Sequence, residues 1–239
     1  MGMYDALVTT MRGIYDRRIT TGPVLDQAVF FADAARFRAA WQTLRDEAAM
    51  VSLPNVPRFH EIMAAQTDLS THDGRDWRVL ILRAYGVNWK ANLAACPHLA
   101  EVVAACPDVL SASLSFLAPG KHIPPHRGPF RGVLRYQLTL VSPTDDAGQP
   151  AAVLTVDSVE HRIGAGQDLL WDDTFTHEVT NRSDQVRIAL LLDVRRRRQP
   201  VALAILSRFL IGCVAVASWW TEWRGRTRSA GKPMVEKAA

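Results

Sequence analysis

From Leu114 onward the chain breaks into short runs rich in Val, Leu, Ile and Thr, separated by Pro-Gly, Pro-Thr-Asp-Asp-Ala-Gly-Gln-Pro and Gly-Ala-Gly. Regularly punctuated short strands predict a β-sandwich or jelly roll. Trp77 to Tyr85 reads as a buried strand that opens this core, and Gly164 to Gly166 as a hairpin turn. Gln167 to Asp173, immediately after that turn, reads as a strand, not as the phosphate-capping helix that a nucleotide loop requires. In Val186 to Asp193 a period of two places Arg187 on one face with Ala189 and Leu191. The N-terminal part follows the helical period instead. Asp26 to Met50 carries Val29, Phe30, Ala32, Phe37, Trp41 and Leu44 at helical intervals, with Asp33, Arg36, Arg38 and Arg45 between them. That pattern predicts one amphipathic helix with a solvated charged face. Pro54 and Pro57 interrupt the next stretch, and Pro97 to Ala105 predicts a short helix. Val201 to Trp220 is an apolar run long enough to span a bilayer. Arg208 near its middle argues against a simple span, since a central arginine costs about 2.5–3.5 kcal/mol. Basic clusters flank it, Arg195 to Arg198 and Arg224 to Arg228, and Trp219, Trp220 and Trp223 suit a headgroup layer. The expectation is a helix lying on or dipping into an anionic membrane surface; the alternative is a helix packed on the jelly roll. Three regions result: 1–76, helical; 77–195, the β core; and 196–239, a basic and apolar helix with a tail.

Composition narrows the classes. A chain of 239 residues, 48% hydrophobic and 22% charged, fits one compact domain with appendages. The net charge of +4 is concentrated late, in Arg195 to Arg198 and in Arg224, Arg226 and Arg228, which favours an anionic surface at one end. There is no aromatic-interleaved basic motif and no zinc-finger spacing, so nucleic acid is not an expected partner. Cys96, Cys106 and Cys213 are odd in number with no close pair, which fits reduced thiols and a cytoplasmic location, at or near the inner face of the membrane. Asp5, Arg12 and Asp16 break any apolar run at the start, so a signal peptide is not expected there. No internal repeat or low-complexity segment is evident.

Candidate chemistry lies between Ser115 and Asp193. Three pieces carry it: His126-Arg-Gly-Pro, Arg135-Tyr-Gln-Leu, and Trp171-Asp-Asp-Thr-Phe-Thr-His177-Glu-Val with Arg187 ten residues later. Two imidazoles far apart in sequence, each on a strand-like stretch, can meet on one metal, and neutral imidazole suits divalent iron with open positions. Arg187, flanked by apolar residues, needs an anion, and a guanidinium grips a carboxylate through two charge-assisted bonds. The plainer alternative is a salt bridge to Asp193 or Glu178. Taken alone, His126 reads as a loop histidine, one of seven in the chain. His122 and His161 are further ligand candidates by composition. No cysteine has a neighbouring base, and no serine elbow occurs.

These pieces resemble the aspartyl/asparaginyl β-hydroxylase family of Fe(II)/2-oxoglutarate oxygenases, whose pattern runs H-x-G-P, then R-x-x-L, then F-D-D-S-F-x-H-E-V and a later arginine. The resemblance covers roughly the second half of the chain. It implies a mainly β double-stranded β-helix, a cupin-like jelly roll, with flanking N-terminal and C-terminal helices. It implies His126 and His177 as iron ligands, and 2-oxoglutarate as cosubstrate contacted by Ser115, Arg135 and Arg187. Gln137 stands where the family commonly has histidine, and it still donates a hydrogen bond. Gly128 stands where the wider superfamily has a carboxylate ligand. That agrees with this branch and leaves water to complete the metal's shell. Asp173, four residues before His177, is then a candidate for orienting that water, or else a turn aspartate. The implied reaction uses dioxygen to hydroxylate an unactivated C–H bond while 2-oxoglutarate becomes succinate. The layout is similar to that of the family's lipid A and ornithine lipid hydroxylases, although those typically have aspartate at the place of Gly128. A membrane lipid acyl chain or lipid-linked group is the expected substrate. The alternatives are Asp or Asn in a polypeptide, a small amino-acid-like molecule, a metal-dependent cupin isomerase or hydrolase, and a non-catalytic jelly-roll binding module.

Overall fold

The strands predicted after Leu114 form, and they divide between two sheets. The computed structural model describes residues 3–226, with side chains for 8–64 and 66–220. Helices α1 (Met3–Asp16), α2 (Gln27–Phe30), α3 (Ala34–Ala39), α4 (Trp41–Ala49), α5 (Phe59–Ile62) and α6 (Thr67–Thr71) precede the first strand. Helices α7 (Lys90–Ala95) and α8 (Pro97–Ala104) come after the second strand, and α9 (Val201–Arg226) after the last. The strands are β1 (Trp77–Ala84), β2 (Val87–Asn88), β3 (Val109–Leu117), β4 (His122–His126), β5 (Val133–Val141), β6 (Ala152–Val156), β7 (Val159–Arg162), β8 (Asp168–Trp171), β9 (His177–Asn181) and β10 (Arg187–Arg195).

One sheet runs β2-β1-β3-β10-β5-β8 and the other β4-β9-β6-β7, with every pairing antiparallel. From β3 to β10 the chain passes back and forth between them, which is the double-stranded β-helix form of a jelly roll. Period-2 alternation assigns the faces of the large sheet. Ala112, Leu114 and Phe116 of β3, Leu134, Tyr136, Leu138 and Leu140 of β5, and Ile188, Leu190 and Leu192 of β10 form one core with Phe31, Phe37, Leu44, Leu99 and Val103 of the helical segments. The opposite face carries Ser111, Ser113, Ser115, Arg135, Gln137, Arg187, Leu191 and Asp193, which line a cavity between the sheets. The same alternation that seats the helices thus delivers the polar side chains to the interior of the sandwich.

Three expectations are corrected. Residues 26–50 are not one helix but α2, α3 and α4. The chain turns at Phe31, whose ring packs edge-on against Tyr136 at 5.2 Å, and again at Ala40. In a straight helix Phe37 and Leu44 would share a face and Phe31 would point away from it, whereas the break at Phe31 lets all three bury. Gly164 to Gly166 is not a hairpin turn, because β7 and β8 belong to different sheets; it is a turn crossing between them, closed by Gln167 N donating to Gly164 O at 3.0 Å. The run Arg195 to Arg198 is not a free basic patch. Arg196 is fully buried on Asp172, and Arg197 and Arg195 face Asp108. Trp223, Arg224, Arg226 and Arg228 lie outside the residues whose side chains are described.

Candidate active site

Two prolines fix how β4 presents its histidine. Pro124 and Pro125 cannot donate to a sheet ladder, and β4 is an edge strand, the place where proline is tolerated. The register with β9 slips between Ile123 and His126, so that His126 comes directly opposite His177. Such a bulge re-aims the side chain next to it. The two rings lie 4.1 Å apart between centroids. His126 Nδ1 is 2.8 Å from Pro124 O and His177 Nδ1 is 3.0 Å from Phe175 O. A carbonyl only accepts, so each Nδ1 carries the proton and each Nε2 keeps its lone pair. Burial lowers the His126 pKa, and burial together with the neighbouring His126 holds His177 down at about 3. The fold therefore keeps two neutral imidazoles side by side, the state in which imidazole ligates a metal.

The turn before His177 is built around a buried charge. Asp172 Oδ1 accepts from Thr174 N at 3.1 Å and Thr174 Oγ1 at 2.6 Å, while Oδ2 accepts from Arg131 Nε at 2.8 Å and Arg196 Nη2 at 2.6 Å. Arg131 also reaches Asp16 and the carbonyls of Ile19 and Thr21. One carboxylate thus pins the turn, the N-terminal segment and the exit from β10. This triad escapes a reading of the sequence, because its members lie far apart along the chain and Arg196 is hidden in a run that reads as surface charge.

The next residue, Asp173, is buried at 5% exposure, and its Oδ1 has no hydrogen-bond partner. Burial raises its pKa to about 7; Arg135 opposes this, and the nearby Asp193 and Asp172 carboxylates add to it. A Cβ at Gly128 would fall 2.1 Å from Asp173 Oδ1. The Asp173 carboxylate therefore fills the space that a side chain at position 128 needs. Among the described residues no group of three His, Cys, Asp or Glu side chains is placed to hold a metal ion, so the donors on offer are the two Nε2 atoms.

The cavity has a volume of about 340 Å³ and brings Ser115, His126, Gly128, Arg135, Gln137, Asp173, His177 and Arg187 together. Arg187 is 4% exposed, its Nε has no partner, and burial lowers its pKa to about 10. Neither alternative partner is used: Asp193 meets Arg135 Nε at 2.9 Å and Ser111 Oγ at 2.6 Å, and Glu178 meets His122 at 2.8 Å. Trp77 Nε1 donates to Ser115 Oγ at 3.1 Å, and Gln137 Nε2 to Thr139 Oγ1 at 3.3 Å. Arg135 differs from Arg187 in being shared between Asp193 and, at 3.5 Å, Asp173. His161 lines a separate groove with Arg38 and Asp168. One part of the cavity wall is apolar and carries no signature in the sequence: Phe59, Ile62, Met63, Ile81, Ile123 and Val179, with Phe59 stacked on Trp77 at 3.8 Å; Gln66, Arg83, Tyr85 and Arg127 add polar groups to the lining.

Residues 38–197 match the family model described as aspartyl/asparaginyl beta-hydroxylase. The ornithine lipid ester-linked acyl 2-hydroxylase of Rhizobium tropici is 34% identical over 173 residues, which is 72% of this chain and 59% of that protein. The chain therefore spans about three fifths of that relative's length. Solved structures are more distant. A predicted oxalate decarboxylase from Thermotoga maritima is 14% identical, covering 50% of this chain and 81% of its own with a TM-score of 0.33. The cupin domain of an XRE family transcriptional regulator from Enterobacter cloacae is 14% identical, covering 51% and 98% with a TM-score of 0.35. The matched segment holds both histidines, Gly128, Asp173 and Arg187 on one cavity, and the chain belongs to the aspartyl/asparaginyl β-hydroxylase family.

Proposed function

We propose that this protein is an Fe(II)- and 2-oxoglutarate-dependent hydroxylase acting on the acyl chain of a membrane lipid or on a lipid-linked group. The observation that carries the proposal is one cavity holding two neutral imidazoles with free Nε2 atoms and a buried arginine without a counter-ion. Iron fits the donor set, and His126 and His177 would hold it. Bound there, it supplies the dioxygen activation that hydroxylation of an unactivated C–H bond requires, with 2-oxoglutarate as the reductant that loses carbon dioxide and becomes succinate. Arg187 binds the far carboxylate, helped by Ser115, whose hydroxyl is oriented by Trp77 and left free to donate. Arg135 and Gln137 add contacts to the cosubstrate, and Arg135 also balances Asp173. Asp173 orients water beside the histidines. The sheets exclude bulk solvent, which strengthens each of these polar contacts.

Two features support a lipid over a polypeptide. The wall of Phe59, Ile62, Met63, Ile81, Ile123 and Val179 offers an acyl chain an apolar surface, and the Rhizobium tropici relative is a lipid acyl hydroxylase. Helix α9 adds a reason to expect the protein at a membrane surface. Its stretch Val201–Trp220 has a mean hydropathy of 2.2 and is only 17% buried. The test is to incubate the protein with Fe(II), 2-oxoglutarate, oxygen and an ornithine lipid. One oxygen atom gained by the lipid per succinate formed is expected. Turnover with an Asp-containing peptide and not with lipid would move the substrate to polypeptides. Absence of succinate with every substrate would overturn the enzyme class.

A further inference from the structure

The backbone just after His126 is gripped by a residue outside the family-matched segment. Arg12 of α1 donates through Nε and Nη2 to Gly128 O at 2.9 and 2.6 Å, and through Nη2 to Arg127 O at 2.9 Å. The other side of the same stretch is sewn to the turn before His177. Gly128 N donates to Asp173 O at 2.6 Å, and Arg127 Nε donates to Thr174 O. Gly128 is therefore held by its N–H against the turn and by its C=O against α1. Its Cα is also the wall on which the Asp173 carboxylate rests, since a Cβ there would lie 2.1–2.5 Å from that carboxylate. A shift of Gly128 changes the room in which Asp173 sits, in the cavity that both histidines line.

Helix α1 and the turn after it have core contacts besides those of Arg12. Tyr15 and Ile19 pack with Phe130, Val133, Leu203 and Ile211, and Tyr15 OH bonds Ser207 Oγ at 2.7 Å. The guanidinium of Arg12, placed on two carbonyls next to a candidate metal ligand, thus bears on the site as well as on the helix. Bonds from a charged donor to a carbonyl are stronger and more directional than neutral ones.

We propose that Arg12 is a positioning residue for the metal centre: by clamping the carbonyls of Arg127 and Gly128 it holds Gly128 against Asp173 and so fixes that carboxylate relative to His126 and His177. The proposal rests on reading those histidines as metal ligands. Cobalt(II), whose visible spectrum reports ligand geometry, serves as the probe, titrated into the full-length metal-free protein and its variants. Arg12→Ala should melt close to wild type without metal, yet bind cobalt about tenfold more weakly and with shifted absorption bands, the scale seen when groups supporting a ligand are removed. Arg12→Lys, which returns one charged donor, should recover part of the affinity. Cobalt binding by Arg12→Ala with wild-type affinity and bands, while His126→Ala binds weakly, would make Arg12 a mere tether and end the proposal. Wild-type protein that holds cobalt no better than His126→Ala would instead remove the metal reading on which the proposal rests. If Arg12→Ala loses its cooperative melt, Arg12→Gln, uncharged but still able to donate one N–H, is read by the same criteria.

Discussion

Arg187 is a buried cation whose Nε lacks a partner, and burial alone has moved its pKa down to about 10. A carboxylate that enters the cavity satisfies it, so 2-oxoglutarate affinity should depend on the shape of this group as well as on its charge. Arg187→Lys keeps a charge and loses the fork. The expected loss is about 1.5–3 kcal/mol, or roughly tenfold to a hundredfold in affinity for 2-oxoglutarate by calorimetry. An unchanged affinity would make the residue structural. Gly128 offers a second test. Gly128→Asp forces two carboxylates into one space, and overpacking of this kind costs about 1–3 kcal/mol, lowering the melting temperature by roughly 2–12 °C. Removing the obstructing group in Gly128→Asp/Asp173→Gly should restore most of that loss, and no recovery would mean that the clash is not with Asp173. That His126, His177 and Arg187 belong together was legible in the sequence, and the structure brings all three to one cavity; their roles toward a metal and a dicarboxylate remain the proposal. Arg12 and the Asp172 triad were not legible, since their partners are carbonyls and charges more than twenty residues away, and for Arg12 more than a hundred.

Helix α9 has two unlike faces. Leu203, Ser207 and Ile211 pack inward, while Val201, Ile205, Phe209, Val216, Trp219 and Trp220 are exposed, and no residue from Gly212 to Trp220 is buried. An apolar surface of that size on a single helix suits insertion among lipid headgroups. The full-length protein should sediment with anionic liposomes at low salt, and Ile205→Glu/Phe209→Glu/Val216→Glu should release it without changing the melting temperature. A full-length chain that stays in the supernatant would refute membrane attachment. Arg208 is exposed on this helix, in keeping with a helix at the surface rather than across it. At this scale strands were easier to read than helices. A two-residue period was readable in β10 and β5 falls among the short strands predicted after Leu114, although β3 begins earlier, at Val109; the helical period over residues 26–50 could not reveal turns at Phe31 and Ala40, which are imposed by the sheet beneath.

In the whole molecule the cavity sits where the two sheets face each other, and α2, α3, α4, α7 and α8 lie on the outer face of the large sheet. The sandwich class was readable because strand length and punctuation are local, but the order of strands was not, since it depends on pairings such as Arg187 with Leu117 that no local pattern records. That order has a further consequence. Among the described residues β10 is the last strand in chain order, yet it lies in the middle of the large sheet, between β3 and β5. Until Arg187 to Arg195 has left the ribosome, both neighbours present bare edges and the sheet has a gap at its centre. Closing it requires pairings between residues far apart in sequence, such as Val194 with Val109, which slows folding. The arginine proposed to receive the cosubstrate sits at the start of that strand, so an incomplete chain cannot assemble the site, and the nascent protein passes through a stage in which two unpaired strands are open to aggregation.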